Sequence, residues 1–280
     1  MKHAAFLVAL TLTLPLAHAV TQDPVATLIK QSEKSPLMII GEMHGTSEVP
    51  SLVAQLADGI SARKDGAGKA QSVVVALEWA GHDAGHQTYL ASGGTAADRR
   101  RLLASPLWAK QYQDGRASEA MLALLESVRT LARGGRSVQL ATFDLNRGQI
   151  APDRDEGMAH NLRGIVLANP GAKIIALAGN FHARQRPGAP WNPEYRFMAN
   201  YLADLAPFSL DVNAPRGSYW GCSSGAAEDC KRVSFGKDVK AGLGLGLYKN
   251  EALAKNGYNQ GLRLAQLTAS LPAAGTTAKQ

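Results

Sequence analysis

The segment that decides the fold reads Ile39-Ile40-Gly41-Glu42-Met43-His44-Gly45-Thr46-Ser47-Glu48-Val49-Pro50. It continues an apolar run that predicts a buried strand. Pro50 suits the first turn of a helix, and Ser47 and Glu48 are residue types that favour a helix N-terminus. We therefore expect Glu42 and His44 to lie where a strand ends and a helix begins. In open α/β sheets, ligands bind at this position.

The same alternation of apolar strands and amphipathic helices continues along the chain. One strand contains Val73-Val74-Val75, a β-branched run that is typical of a strand covered on both faces. We therefore expect an α/β fold with a mainly parallel central sheet flanked by helices. The predicted strands are 37–40, 72–77, 138–143, 173–178 and 208–212, and the predicted helices are 49–61, 118–131, 153–168 and 193–205.

Residues 81–115 interrupt this alternation with an irregular segment and a short predicted helix near 96–103. We expect a helical excursion over the strand ends that forms part of the wall of a site. His82 and His86 are four residues apart, a spacing that suits metal binding on a helix. The glycine before each of them argues against a helix there.

The ends of the chain carry signals of processing. Residues 1–19 combine a basic start, an apolar stretch and an Ala17-His18-Ala19 cleavage motif, which predicts a secretory signal peptide. There is no cysteine near the cut, so a lipid anchor is not expected. We predict a periplasmic or secreted protein with one α/β domain over residues 20–272 and a disordered tail over residues 273–280.

The net charge is +7, and it becomes +6 once Lys2 is removed with the signal peptide. The basic residues are scattered and not interleaved with aromatic residues, so we expect no nucleic-acid partner. No later apolar run is long enough to cross a membrane. The two cysteines, Cys222 and Cys230, are predicted to form a disulfide in an exported chain. A zinc site would need two further ligands nearby, and none is evident.

Polar residues follow four of the predicted strands. The carboxyl ends of parallel strands meet at one edge of a sheet, so these residues are expected to share a site. Arg154, in the first turn of a predicted helix, either reaches a carboxylate of this site or lies in a solvated turn. The residues at the strand ends are Glu42 and His44, Glu78, Asp144, and Asn180 and His182.

Several motifs resemble the superfamily of the erythromycin esterases, the ChaN-type haem-binding lipoproteins and the Tiki/TraB proteins. The matches span residues 37–270. The motifs are Gly41-Glu42-Met43-His44-Gly45-Thr46, Ala76-Leu77-Glu78, Arg154-Asp155-Glu156-Gly157-Met158-Ala159, Gly179-Asn180-Phe181-His182, Gly257-Tyr258-Asn259 and Leu267-Thr268-Ala269-Ser270.

The resemblance implies an α/β core with a site at the strand ends, and it implies different activities in the different branches. The esterase branch implies that His44 is the general base and that Glu42, Glu78 and His182 complete the cluster. The ChaN-type branch implies haem binding, often as a dimer, so a homodimer is a possible assembly. The Tiki branch implies metal-dependent cleavage of peptides. This chain lacks the lipoprotein cysteine and is shorter than most esterases, so the resemblance does not choose the substrate.

Three functions are compatible with these residues. The first is a hydrolase of a small molecule or peptide, in which His44 takes a proton from water. Glu42 or Glu78 would orient its imidazole, and His182 or Arg154 would stabilise the oxyanion. Asp144, Asp155 and Asn180 are further candidate residues of the catalytic site.

The second function is haem binding, as in iron uptake without catalysis, with Tyr89, Tyr112 or a histidine of the excursion as axial ligand. The third is a metal-dependent hydrolase, in which Glu42, His44 and His182 bind one divalent ion.

Overall fold

The computed structural model describes residues 23–64, 68–81, 84–146, 148–224, 226–236 and 244–275. The predicted signal peptide, residues 276–280 of the predicted tail and His82 lie outside the described residues. The prediction of one domain over residues 20–272 stays a prediction.

A seven-stranded sheet, in the order β3-β2-β4-β1-β5-β9-β8, forms the centre of the fold. Its neighbouring strands are parallel, except that β8 runs antiparallel to β9. Two further strands, β6 and β7, form a separate antiparallel pair. The predicted α/β class is therefore confirmed. The strands are β1 (Leu37–Glu42), β2 (Val73–Ala80), β3 (Val138–Asp144), β4 (Lys173–Gly179), β5 (Phe208–Asn213), β6 (Arg216–Cys222), β7 (Cys230–Gly236), β8 (Gly246–Tyr248) and β9 (Gln260–Arg263).

Helices cover both faces of the sheet. Alternate residues of β1 point to opposite faces, so Met38 and Ile40 pack with α2 and α6, whereas Leu37 and Ile39 pack with α7 and α8. All six residues of β1 are buried, as expected for a central parallel strand. The helices are α1 (Pro24–Gln31), α2 (Glu48–Ser61), α3 (Gly85–Ala91), α4 (Ala96–Leu103), α5 (Pro106–Ala109), α6 (Glu119–Arg133), α7 (Arg154–Ala168), α8 (Met198–Tyr201) and α9 (Glu251–Asn256).

Side-chain caps fix the start of two of the predicted helices. The Ser118 hydroxyl accepts a hydrogen bond from Met121 N–H, and Asp153 Oδ1 accepts one from Glu156 N–H at 2.7 Å. The second cap places Arg154 at the first position of α7, beside the carboxyl edge of the sheet. Ser47 occupies the N-cap position of α2, but its side chain makes no capping bond.

Two local predictions are wrong. The helix predicted over 193–205 is reduced to α8 and a 3-10 turn at Ala203–Leu205, because the Met198 N–H bonds to the Asp155 carboxylate instead. The excursion contains a helix, α3, where glycines argued against one, and His86 lies in its first turn. Tertiary packing has overridden a weak local preference in both places.

The Cys222–Cys230 disulfide is present and joins the paired ends of β6 and β7. This confirms the predicted pairing. Within the described part of the chain, no helix is both long and apolar enough to cross a membrane.

Candidate active site

Adjacent parallel strands bring three of the predicted motifs together at the carboxyl edge of the sheet. β4 lies between β1 and β2, and Glu42 is in register with Gly179. The Asn180 N–H donates to the Glu42 carbonyl at 2.8 Å, so the motif after β4 begins directly beside the motif after β1. Glu78 lies inside β2, near its carboxyl end, and not after the strand, because β2 extends to Ala80.

Each of the two histidines is paired with its own carboxylate. His44 Nδ1 lies 2.8 Å from Glu42 Oε1, and His182 Nδ1 lies 2.6 Å from Asp155 Oδ1. In both pairs the Nδ1 atom faces the carboxylate, which leaves Nε2 directed away from it. This is how a carboxylate orients a catalytic imidazole.

Glu78 lies between the two pairs. Its Oε2 atom is 3.4 Å from His44 Nε2, and its Oε1 atom is 3.9 Å from His182 Nε2. The Gly179 N–H donates to Oε2 at 2.8 Å and holds the carboxylate in place. The structure therefore brings Glu42, His44, Glu78 and His182 into one cluster.

Arg154 reaches this cluster from the first turn of α7. Its Nη2 atom lies 2.6 Å from Glu78 Oε1 and 2.8 Å from Asp144 Oδ2, and its Nε atom donates to Asp144 Oδ1 at 3.0 Å. Its Nη1 atom lies 3.1 Å from His182 Nε2. A guanidinium can only donate, so His182 Nε2 is the acceptor in this contact and Nδ1 carries the hydrogen given to Asp155.

A second arginine, Arg116, completes the cluster and was missed in the sequence. Its Nη1 atom lies 3.2 Å from Glu78 Oε1 and 3.2 Å from Asp144 Oδ2. Its Nε and Nη2 atoms donate to Asp114 Oδ2, at 3.2 and 2.7 Å. Arg116 follows no strand and belongs to none of the motifs, so spacing alone offered no signal for it. The one signal in the sequence is that Arg116 directly follows the excursion, which was expected to border the site.

The end of the excursion lies directly against the loop that carries His44. A Cβ atom placed on Gly115 would lie 2.4 Å from Gly45 N and 3.0 Å from the His44 carbonyl carbon. Gly115 also has a φ of 95°, in the region that favours glycine. This close approach brings Arg116 to the site and places the end of the excursion beside the cluster. A wall formed by the rest of the excursion stays a prediction.

The cluster has a buried acidic layer and a partly exposed basic one. The side chains of Glu42, Glu78 and Asp155 are 5%, 4% and 3% exposed. The basic side chains are 39% exposed for Arg154, 25% for His44, 24% for Arg116 and 19% for His182. A substrate therefore meets the guanidinium and imidazole groups first.

Burial and charge shift the pKa values of the buried groups. Burial alone would lower the pKa of His44, but the Glu78 charge and the hydrogen bond to Glu42 outweigh burial and raise it to about 10. Burial favours the neutral form of Glu78, yet the charge of His44, its hydrogen bond to Glu78 and the charge of Arg116 hold the pKa of Glu78 well below its usual value. Burial raises the pKa of Glu42. His44 therefore carries a proton at neutral pH, with an N–H directed at each of two carboxylates.

Asn180 takes part in this region through its backbone. Besides the N–H bond to Glu42, its carbonyl accepts a hydrogen bond from the Tyr258 hydroxyl. These backbone bonds explain the position of Asn180, and the catalytic role predicted for its side chain stays a prediction. His160, in the middle of α7, is exposed.

The predicted metal ligands do not fit a metal ion. Among the residues that the structure describes, no group of three His, Cys, Asp or Glu side chains is arranged to hold one. Arg154 Nη1 lies 3.1 Å from His182 Nε2, so a fixed positive charge stands where a divalent ion would bind this nitrogen. We therefore derive no step through a metal ion.

Two of the predicted haem ligands do not fit either. Tyr89 is buried and its hydroxyl donates to a glutamate of α6 at 2.7 Å. His86 is buried beside Trp79. Tyr112 is partly exposed and stays a prediction. Haem binding through Tyr112, or through His82 outside the described residues, therefore stays a prediction.

Comparison with known proteins gives matches in structure and none in sequence. No family model matches the chain. No curated protein matches it either. An erythromycin esterase variant in its open conformation superposes with a TM-score of 0.58 at 14% identity, over 77% of this chain and 79% of the esterase.

Two further solved structures have similar scores. A succinoglycan biosynthesis protein superposes with a TM-score of 0.56 at 12% identity, over 88% of this chain and 92% of the other. A protein from Bacillus cereus superposes with a TM-score of 0.53 at 10% identity, over 90% and 94% of the two chains. At these identities the likeness concerns the fold. This chain therefore shares its fold with an erythromycin esterase, as the motifs in its sequence predicted.

Proposed function

We propose that this protein is a hydrolase that cleaves ester bonds with water activated at the Glu/His cluster. The observation that carries the proposal is the pair of carboxylate-oriented imidazoles, Glu42–His44 and Asp155–His182, on either side of Glu78. Two imidazoles a few ångströms apart can hold and release protons on both sides of one scissile bond. The fold shared with an erythromycin esterase agrees with this chemistry.

The two histidines have different roles in this proposal. His44 already holds a proton at neutral pH, so it acts as the general acid and not as the initial base that the sequence suggested. His182 acts as the base, because its Nε2 atom presents a lone pair, which Arg154 Nη1 contacts in the resting site. A water molecule reaches Nε2 when this Arg154 contact opens.

Hydrolysis then takes place in two steps. The water oxygen attacks the carbonyl carbon while its proton passes to His182 Nε2, and the carbonyl electron pair moves to oxygen. When the tetrahedral intermediate collapses, this electron pair re-forms the carbonyl, the bond to the leaving alkoxide breaks and His44 gives the alkoxide a proton. Solvent then takes the proton from His182 and returns one to His44, which restores the resting site. Glu42 and Asp155 keep the two imidazoles aligned throughout.

The test compares two leaving groups in two variants. The p-nitrophenolate group leaves its ester without being protonated. The alkoxide of an alkyl ester with the same acyl group needs a proton to leave. We expect His44→Gln to slow the alkyl esters much more than the p-nitrophenyl esters. His182→Gln should slow both equally, by about 10²–10⁴-fold, as the loss of a general base does.

The control is His160→Gln, an exposed histidine outside the cluster, which should leave both rates unchanged. All variants are compared at equal folded fraction by circular dichroism. Unchanged turnover in His182→Gln, or an equal effect of His44→Gln on both esters, would contradict the assigned roles.

We also propose that the chain is exported. The disulfide and the predicted signal peptide support this, because disulfides persist in oxidising compartments. Expression of the full chain in a bacterium should give a periplasmic product whose N-terminus is Val20. A cytoplasmic product that still begins at Met1 would contradict export.

A further inference from the structure

We propose that Arg116 is a catalytic residue that binds the developing oxyanion together with Arg154, and that the group attacked is uncharged in the ground state. The inference rests on the proposed function and deepens it, since it names the substrate class as neutral carboxylic esters. The unused hydrogen-bond donors of the two arginines and the charges around them carry it.

Arg154 retains one N–H after its contacts in the site are satisfied. A guanidinium has five N–H groups. Nε donates to Asp144, Nη2 donates to Glu78 and Asp144, and Nη1 directs one hydrogen at His182. The second Nη1 hydrogen is therefore available, beside the imidazole that is proposed to take a proton from water.

Arg116 likewise retains one N–H. Nη1 donates to Glu78 and Asp144, Nε donates to Asp114, and one Nη2 hydrogen donates to Asp114. The second Nη2 hydrogen is available. Both guanidiniums are partly exposed and both contact Glu78 Oε1, so the two available donors belong to groups that border the same small space.

Arg116 is held in place before any substrate arrives. Asp114 binds its Nε and Nη2 atoms side by side, and the Trp79 indole N–H donates to the Arg116 carbonyl at 2.8 Å. Gly115 locks the backbone against Gly45. Fixed donors of this kind stabilise charge that appears only in the transition state, because they need no reorganisation.

The charges in the cluster give no net attraction to a substrate that is already anionic. Five carboxylates, Glu42, Glu78, Asp114, Asp144 and Asp155, face four cations, Lys110, Arg116, Arg154 and protonated His44. The balance is 4 − 5 = −1, or 0 if Glu42 holds a proton. A phosphate monoester therefore gains no net electrostatic attraction here, whereas a neutral ester gains the arginine contacts only as its oxygen becomes charged.

The first experiment measures kcat and KM for a neutral ester in Arg116→Gln and Arg116→Lys. We expect kcat to fall roughly 10²–10³-fold in Arg116→Gln, as for the loss of one oxyanion donor, with KM nearly unchanged. Arg116→Lys keeps the charge without the planar guanidinium, so its kcat should lie between those of the wild type and Arg116→Gln. A merely structural role would instead lower the thermal midpoint and leave kcat per folded molecule unchanged, and this result would overturn the proposal. Arg163→Gln, in an ion pair with Asp204 on the other side of α7, is the matched control.

The second experiment does not depend on turnover. Phenylboronic acid becomes a tetrahedral anion when it gains hydroxide, so it imitates the intermediate, whereas inorganic phosphate is a ground-state anion. By calorimetry the wild-type protein should bind phenylboronic acid at least about tenfold more tightly than Arg116→Gln does, and it should bind phosphate more weakly than phenylboronic acid.

Equal affinity of the wild type and both Arg116 variants for phenylboronic acid would overturn the inference, and so would no binding at all or tighter binding of phosphate. If no ester is hydrolysed but the boronate difference persists, the proposed function fails and the oxyanion site remains. Should Arg116→Gln fail to fold, the comparison of Arg116→Lys with the wild type decides.

Discussion

Asp155 Oδ1 lies 2.6 Å from His182 Nδ1, and this contact joins the first turn of α7 to the segment that follows β4. The same carboxylate accepts hydrogen bonds from the Met198 N–H at 2.7 Å and from the Tyr195 hydroxyl at 2.8 Å. Three donors therefore converge on one buried carboxylate. Burial favours its neutral form, but these bonds, first among them the one to His182, hold the pKa of Asp155 below its usual value.

Asp155→Asn tests this arrangement. An asparagine keeps the oxygen that faces His182 and the Met198 N–H, but it is uncharged and turns an NH₂ group toward the Tyr195 hydroxyl, which then has to accept instead of donate. We expect a loss of about 1–3 kcal/mol in the free energy of unfolding, measured with urea, because hydrogen bonds to a charged acceptor are replaced by weaker neutral ones. Turnover should fall further than stability explains, because His182 loses its orientation. Asp204→Asn, on the surface, should change neither property.

The raised pKa of His44 predicts how stability depends on pH. The folded protein binds this proton up to about pH 10, whereas an unfolded histidine releases it near 6.5. The contribution is therefore fully present below about pH 6.5 and is lost as pH rises toward 10. Urea unfolding of the wild type and of His44→Gln across this range should show the difference between them shrinking as pH rises. A difference that stays constant with pH would contradict the raised pKa.

The close approach of the excursion to the His44 loop predicts a large effect of Gly115→Ala. A Cβ atom there would meet Gly45 N at 2.4 Å, and the φ of 95° is itself unfavourable for alanine. Gly135 has a φ of 83° with nothing within 4 Å of an added Cβ, so Gly135→Ala isolates the backbone cost of about 1–2 kcal/mol.

We expect Gly115→Ala to lose clearly more thermal stability than Gly135→Ala and to lower turnover, because the clash displaces Arg116. Differential scanning calorimetry and initial rates measure the two effects. Equal melting temperatures in the two variants would show that the His44 loop yields easily.

The disulfide closes a short loop with a sequence separation of 8 residues. In the chain-entropy model such a loop contributes about 2.5 kcal/mol by restricting the unfolded chain. A Cys222→Ala/Cys230→Ala double variant should be less stable by about this amount, and a reductant should destabilise the wild type but not the variant. Urea unfolding with and without the reductant measures the effect of the double variant and that of the reductant.

The hairpin of β6 and β7 also supports the His44 loop, because the backbone N–H of Trp220 in β6 donates to the Gly45 carbonyl at 3.0 Å.

Local chemistry explains why much of the fold was predictable. The β-branched run Val73-Val74-Val75 favours a buried strand, and it forms one in β2. Ser118 and Asp153 start their helices by accepting hydrogen bonds from N–H groups three residues along the chain. By contrast, the 193–205 segment has helical spacing, but its Met198 N–H donates to the Asp155 carboxylate, which lies far away in sequence. The hairpin of β6 and β7 and the antiparallel edge strand β8 carry no strong local pattern and went unpredicted.

The sequence by itself determined the α/β class, the parallel strand ends and the presence of Glu42, His44, Glu78 and His182 at one edge, because parallel strands align their carboxyl ends whatever the loops do. Only the tertiary structure decided which groups meet there. It brought Arg116 in through the contact of Gly115 with Gly45, and it placed His44 between two buried carboxylates. The physical reason is that charge and burial act through space. Sequence periodicity shows which residues reach the edge, whereas the protonation state of His44 depends on distances of a few ångströms that packing alone sets.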